Sequence, residues 1–252
     1  AIIYVVGAPQ DLHFRQLFAL ARKIGIVPDD VDLIHVSFGT IFNNVGQALS
    51  TRYGNMIYLK TLLDDAVDRA KGVIEEKNPD LPPEERDAVA EAVGIGAIIY
   101  NDLYQDPKRN ITLDWERMLA TEGNSATYLQ YSHARCRSIL RRAETTLETV
   151  LANGVQEDVG SLLTHPSEQQ LLKHLARLPL VVRDAGRRYA PSLIAEWCYT
   201  TAREFGVFFE QCSVLKADTP MLREARLALV AATAQSLKNG LSLLGIKAPN
   251  RM

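Results

Sequence analysis

Apolar positions along the chain follow two different periods. Residues 1–6, Ala1-Ile2-Ile3-Tyr4-Val5-Val6, form an unbroken apolar, β-branched run closed by Gly7. Such a run predicts a buried parallel strand rather than a half-exposed one. Leu12, Phe14, Leu17, Phe18, Leu20 and Ala21 then recur at helical spacing up to Gly25, and a second strand is predicted at Leu33-Ile34-His35-Val36. Strand, helix and strand within this length make a βαβ unit. Two parallel strands cannot cover both of their faces, so the sheet is expected to be completed by chain outside this sequence.

Residues 39–58 are rich in Gly, Asn, Ser and Thr and predict a loop, with a short extended piece at Met56-Ile57-Tyr58. Beyond residue 60 the period is helical. Leu62, Leu63, Ala66, Val67 and Ala70 share one face, and Pro82-Pro83-Glu84-Glu85 marks a helix start after the break at 79–83. That helix should run over 84–104 and be followed by a turn through Asp106-Pro107-Lys108-Arg109-Asn110. From 122 onward the pattern predicts a bundle of four to five helices, with helical stretches near 124–143, 145–153, 168–177, 179–187, 191–211 and 219–244. The stretch from Gly154 to Pro166 is the expected flexible connection. The divisions implied are 1–60, 61–121 and 122–252.

Composition narrows this picture. The chain has 252 residues, 47% hydrophobic and 23% charged, which suits a globular protein with a sizeable core. No apolar run is long enough to span a bilayer, and no membrane association is expected. The net charge of −2 hides an asymmetry: residues 1–121 carry −6 and residues 122–252 carry +4. A basic half suits either a polyanionic partner or ordinary solvated surface. Cys136, Cys198 and Cys212 are odd in number and widely spaced, with neither metal nor disulfide spacing, and reduced thiols fit a cytoplasmic protein.

Three segments could carry chemistry. Gly7-Ala8-Pro9-Gln10-Asp11-Leu12-His13 puts Gln10 and His13 at the carboxyl end of a parallel strand, where ligands bind in open α/β sheets; a tight turn with a half-buried histidine fits equally. Leu49-Ser50-Thr51-Arg52-Tyr53-Gly54-Asn55 offers hydroxyls, backbone N–H groups and a cation suited to phosphate, or is a plain surface loop. In Tyr128-Leu129-Gln130-Tyr131-Ser132-His133-Ala134-Arg135-Cys136-Arg137-Ser138, aromatic and cationic side chains alternate. Rings that stack on unpaired bases beside arginines that meet phosphates hold single-stranded RNA; a core tyrosine pair with a basic outer face is the alternative. His133 has no partner at ligand spacing, and no metal site is expected.

Taken in order, these segments resemble arginyl-tRNA synthetase, a class I aminoacyl-tRNA synthetase family, over nearly the whole chain. Tyr4-Val5-Val6-Gly7-Ala8-Pro9-Gln10-Asp11-Leu12-His13-Phe14 is similar to the late strand and helix of its nucleotide fold, and His35-Val36-Ser37-Phe38-Gly39 to its next strand. Leu49-Ser50-Thr51-Arg52-Tyr53-Gly54 resembles the MSTRKG form of the KMSKS loop. Gly123 to Tyr131 with His133-Ala134-Arg135 resembles the opening of the anticodon-binding bundle, and Leu244 to Met252 the family's ending. The fold class implied is mostly α: a partial Rossmann-like βαβ followed by an α-helical anticodon-binding bundle.

The resemblance implies an arginine–tRNA ligase that uses ATP with Mg2+. Gly7, Gln10 and His13 would lie at the substrates, Gln10 recognising arginine and His13 lying against ATP. Ser50, Thr51 and Arg52 would contact the phosphates, and Tyr128, Tyr131, Arg135, Trp197 and Met252 would meet the tRNA anticodon loop. Trp197 follows from an ungapped match back from Phe208-Phe209-Glu210. A monomer is implied, with tRNA, arginine and ATP as partners. Two departures stand out. None of His13, His35, His133, His165 and His174 lies in a His-x-Gly-His signature, and Ala48, Ser50 and Tyr53 stand where relatives keep cations. This chain alone is therefore expected to be inactive and to hold no bound cofactor. A free-standing, non-catalytic paralogue that binds tRNA is the alternative.

Overall fold

The computed structural model describes residues 1–43, 46–47, 58–79, 81–153 and 159–252. The chain is mostly helical, with two small parallel sheets, and divides into two units. The first comprises Ala1–Ile57 and Gln105–Asp114, the second Tyr58–Tyr104 and Trp115–Met252.

In the first unit, strand β1 (Ile2–Gly7) pairs in parallel with β2 (Leu33–Phe38), in a register that sets Ile2 opposite Leu33 and Gly7 opposite Phe38. Helix α1 (Asp11–Lys23) makes the crossover and buries Phe14. Phe14 lies flat against His35 at 4.4 Å, and Tyr4 and Phe18 close around it. Both ring nitrogens of His35 have partners, the Asp11 carboxylate and the Val6 carbonyl, each at 2.9 Å. This one side chain thereby ties the start of α1 to both strands. The strand burial expected from the sequence is not met among the described residues. Ile2, Ile3, Tyr4 and Val5 are exposed, Val5 to 65%, because the pair has no third strand to lie between.

The predicted loop at 39–58 contains a further strand, β3 (Ile41–Phe42). It pairs in parallel with β4 (Ile111–Thr112), just beyond the predicted turn. Neither dipeptide has a local period; their pairing across some seventy residues is a tertiary event.

The second unit is built from helices α2 (Leu59–Lys77), α3 (Pro83–Leu103), the short α4 (Trp115–Met118), α5 (Ala126–Arg142), α6 (Leu147–Asn153), α7 (Val159–Leu162), α8 (Pro166–Leu175), α9 (Leu178–Arg188), α10 (Ser192–Gln211) and α11 (Pro220–Leu243). Starts are set by local chemistry. Ser125 Oγ accepts from the Tyr128 amide at 3.1 Å, and Thr219 Oγ1 from that of Leu222 at the same distance. At α8, Pro166 occupies the first turn and Glu168 reaches back to the His165 amide at 2.8 Å, so the helix begins two residues before the predicted 168. Helix α7 lies in the stretch predicted as a flexible connection. It forms because Leu163 is buried and Leu162 packs on the core, giving that turn apolar anchors.

Helices α2 and α3 touch through small residues. Ala66 and Ala70 of α2 are buried, and a Cβ on Gly94 of α3 would sit 2.6 Å from the Ala66 carbonyl. Helix α5 packs against α3, α10 and α11. Glu168 is buried and accepts from Arg226 of α11 at 2.7 Å, the most buried charge pair among the described residues of the second unit. The three cysteines are buried and free, and burial pushes the thiols of Cys136 and Cys198 up, the latter to about 12. They act as small apolar groups rather than as nucleophiles.

The close approach of α2 and α3 makes Gly94 intolerant of any side chain. Gly94→Ala should cost roughly 1–3 kcal/mol, the range for overpacking. A lowered urea midpoint with an unchanged slope would show it.

Candidate nucleic-acid interface

Helix α5 carries the candidate surface. Its buried residues include Thr127, Leu129, Gln130, Ser132, His133, Ala134, Cys136, Ile139 and Leu140. The positions left accessible include Tyr128, Tyr131, Arg135 and Arg142, spaced three, four and seven residues apart. That spacing defines a single stripe along the helix. The aromatic and cationic residues singled out in the sequence are therefore its outward ones, whereas His133 is fully buried.

The stripe borders a cleft of about 490 Å³. Tyr128, Tyr131 and Arg135 form one wall, Gly206 and Glu210 of α10 another, and Lys77, Asn78 and Met252 lie at the remaining edges. The Arg135 guanidinium is held between two rings, 4.8 Å from the centre of Tyr131 and 5.1 Å from that of Phe209. It also donates to the Tyr131 hydroxyl at 3.0 Å. An arginine fixed in this way presents its charge with little conformational entropy left to lose on binding. Tyr128 meets Tyr199 edge-on at 6.1 Å, and burial pushes its phenol up, so the ring stays neutral. The cleft thus combines ring faces, a methionine side chain, a fixed cation and the carboxylates of Glu122 and Glu210. Such a mixture can stack an unpaired base and accept from its amino group.

Met252 reaches the cleft because the last residues are tied down along their backbone. The turn out of α11 uses Gly245 at φ +76°, a conformation glycine adopts without strain. Buried Gln130 then donates to the Lys247 carbonyl at 2.8 Å, and His133 Nδ1 to that of Pro249 at 2.9 Å. Arg141 donates to the Asn250 carbonyl at 3.0 Å and Asn78 to that of Met252 at 3.1 Å.

The structure does not bring Trp197 to this surface. It is 3% exposed, stacks on His174 at 5.4 Å and donates from Nε1 to the His174 carbonyl at 3.2 Å. The reason is its place on α10: Ile194, Cys198, Thr201, Phe205 and Phe208 share its face, and all are buried. Phe209, stacked on Arg135, and Glu210, at the cleft, were not singled out as site residues in the sequence and lie off that apolar stripe. The same periodicity that buries Trp197 would have found them.

In the first unit, Gly7 ends β1, while Gln10 and His13 are exposed at the start of α1. The three sit together at the carboxyl end of a parallel strand, the expected place for a ligand. Ser50, Thr51 and Arg52 lie outside the described residues. Among the described residues no group of histidine, cysteine and acidic side chains is arranged to hold a metal ion. No helix among them is long and apolar enough to cross a membrane.

Comparison with known proteins matches two family descriptions in succession along the chain. Residues 1–115 match the family described as the catalytic domain of class I tRNA synthetases (R), and residues 129–252 the DALR anticodon binding domain. The arginine–tRNA ligase of Chloroflexus aurantiacus is 68% identical over 251 residues, covering all of this chain and 43% of that protein. The arginine–tRNA ligase of Laribacter hongkongensis is 40% identical, covering 98% of this chain and 41% of that one. The structure of Thermus thermophilus arginyl-tRNA synthetase superposes with a TM-score of 0.85 at 28% identity, covering 99% of this chain and 41% of that chain. The chain thus spans about two fifths of the length of these relatives.

Burial holds His133 and His174 below the ordinary histidine value, so both are neutral in the fold. Unfolded, each takes up a proton as pH falls below about 6.5, so the unfolded state binds more protons and gains on the folded one. The urea midpoint should therefore drop between pH 7.5 and 5.5. The drop should be smaller in His174→Asn, read from the same titration.

Proposed function

The chain belongs to the arginyl-tRNA synthetase family, and from that premise we propose that the protein it represents is an arginine–tRNA ligase, with this chain supplying the anticodon-binding surface and the KMSKS-like loop. The arginine carboxylate attacks the α-phosphorus of ATP, pyrophosphate leaves, and the arginyl group passes from the adenylate to a terminal tRNA hydroxyl with release of AMP. Negative charge builds on the phosphates during the first step. Hydroxyls at Ser50 and Thr51 and the cation at Arg52 suit that charge, since phosphoryl chemistry of this kind is driven mainly by positioning and electrostatic stabilisation. Gly7, Gln10 and His13 are assigned to substrate binding at the mouth of the β1–α1 turn, Gln10 toward arginine and His13 toward ATP. Mg2+ would accompany the nucleotide. A monomer working in the cytoplasm is the assembly and location this reading entails.

The observation that carries the RNA assignment is the outward stripe of α5 beside the cleft. Tyr128, Tyr131 and Arg135 are its accessible side chains at the cleft, and Met252 lines the same cleft. Tyr131 is the most accessible ring of the group and Arg135 is stacked on it. One base stacked on such a ring contributes about 1–3 kcal/mol.

Binding of the chain to an arginine-accepting tRNA transcript tests the assignment. Tyr131→Ala should weaken binding by roughly tenfold or more, following that stacking energy. The same transcript with an altered anticodon should bind the unsubstituted chain no better than the variant binds the original. Equal affinity of both proteins for both RNAs would overturn the assignment. Arginine-dependent exchange between ATP and pyrophosphate should be undetectable with this chain alone, because no His-x-Gly-His segment is present to hold the triphosphate.

A further inference from the structure

We infer that Gln130 and His133 are positioning residues that seat the segment 247–252 as a strap, and that the strap, rather than the walls alone, gives the RNA cleft its shape. This rests on the reading of that cleft as the tRNA site. The two side chains lie one helical turn apart and fully buried on the inward side of α5, whereas Tyr131 and Arg135 face outward. Neither touches the cleft. Each instead recognises a backbone carbonyl of the strap: Gln130 that of Lys247, His133 that of Pro249. Gln130 donates as well to the Ala92 carbonyl of α3 at 2.9 Å, so one amide joins α3, α5 and the strap. Room for it exists because residue 96 is glycine; a Cβ there would lie 3.0 Å from the Gln130 amide nitrogen and from Ile246.

Packing alone does not explain these groups. Gln130 Oε1 and His133 Nε2 are buried with no hydrogen-bond partner, so each side chain carries a desolvation cost that an apolar residue would avoid. What the polar residues provide and an apolar one could not is register. Carbonyls at 247 and 249 are fixed, Arg141 and Asn78 hold those at 250 and 252, and Met252 lines the cleft together with Tyr128 and Tyr131. The outer ion pairs, Lys247–Glu91 at 3.2 Å and Arg251–Glu85 at 3.7 Å, are solvent-exposed and add little. The hydrogen bonds from Gln130, His133, Arg141 and Asn78 to the strap all go to its backbone, so these four hold its path and leave the Met252 side chain to the cleft.

The test is a binding cycle with an arginine-accepting tRNA. Four proteins are compared: the chain, His133→Ala, a form lacking residues 249–252, and the two changes combined. His133→Ala and the truncation should each weaken binding about tenfold, the scale of one buried hydrogen bond. The combined form should bind no more weakly than the truncated one, because His133 acts through the segment already removed. His133→Asn keeps a donor near the Nδ1 position and should restore most of the affinity, which a purely packing role would not allow. Urea transitions confirm that each form folds, and if His133→Ala does not, the comparison of His133→Asn with His133→Leu replaces it. The inference is overturned if His133→Ala binds normally, if its effect adds in full to that of the truncation, or if Asn rescues no better than Leu. Tyr131→Ala separates the two levels. If it weakens binding while the His133 variants do not, only the strap fails; if it too has no effect, the cleft is not the RNA site.

Discussion

The enclosure of α5 is the constraint on which the second unit depends. A helix packed by α3, α10 and α11 has most of its circumference committed to core contacts, with Tyr128, Tyr131 and Arg135 left accessible in one stripe. Leu129, Cys136 and Leu140 contribute apolar burial, which is non-directional and would tolerate several packings. Gln130 and His133 do not tolerate several. A buried donor must find an acceptor, and those available lie on α3 and on the strap. The polar pair therefore converts a generic apolar contact into one arrangement of helix, neighbour and strap.

That arrangement places recognition chemistry on a rigid element rather than on a loop. Tyr128, Tyr131 and Arg135 point where the helix makes them point, and the Tyr131–Arg135–Phe209 stack removes rotamer freedom before any ligand arrives. Charge plays a secondary part. Most ion pairs of the second unit involve exposed side chains worth at most about 1 kcal/mol each. The Glu168–Arg226 pair is the exception among the described residues, because Glu168 is buried and caps α8 at the same time. The excess of positive charge after residue 122 would raise the rate of encounter with a polyanion under the proposed function, without setting which one is held.

The first unit obeys a different economy. Its βαβ core is small: Phe14, His35, Tyr4 and Phe18 around one crossover, with most apolar side chains of β1 at the surface. Its specific feature is again a polar one, His35 bridging Asp11 and the Val6 carbonyl. That bridge fixes the entry of α1, and with it the relation of Gly7, Gln10 and His13.

Elements with a strong local period were legible from the residues alone. Helices α3, α5, α10 and α11 lie within two residues of the predicted ranges, because their apolar positions repeat at helical spacing and Pro82-Pro83 marks the start of α3. The paired strands β1 and β2 were legible for the same reason, whereas the sequence left open whether Tyr128 and Tyr131 face outward or form a core pair. The short strands β3 and β4 were not, since two residues have no period and their pairing is decided across the chain. Nor was the fate of Trp197: the resemblance implied a place at the anticodon-loop surface, whereas its helical face, shared with Phe205 and Phe208, buries it. Sequence determined which surfaces must be apolar and where helices begin. Tertiary structure alone decided which carbonyls meet Gln130 and His133, because a hydrogen bond between residue 133 and residue 249 exists only once the helices between them have packed.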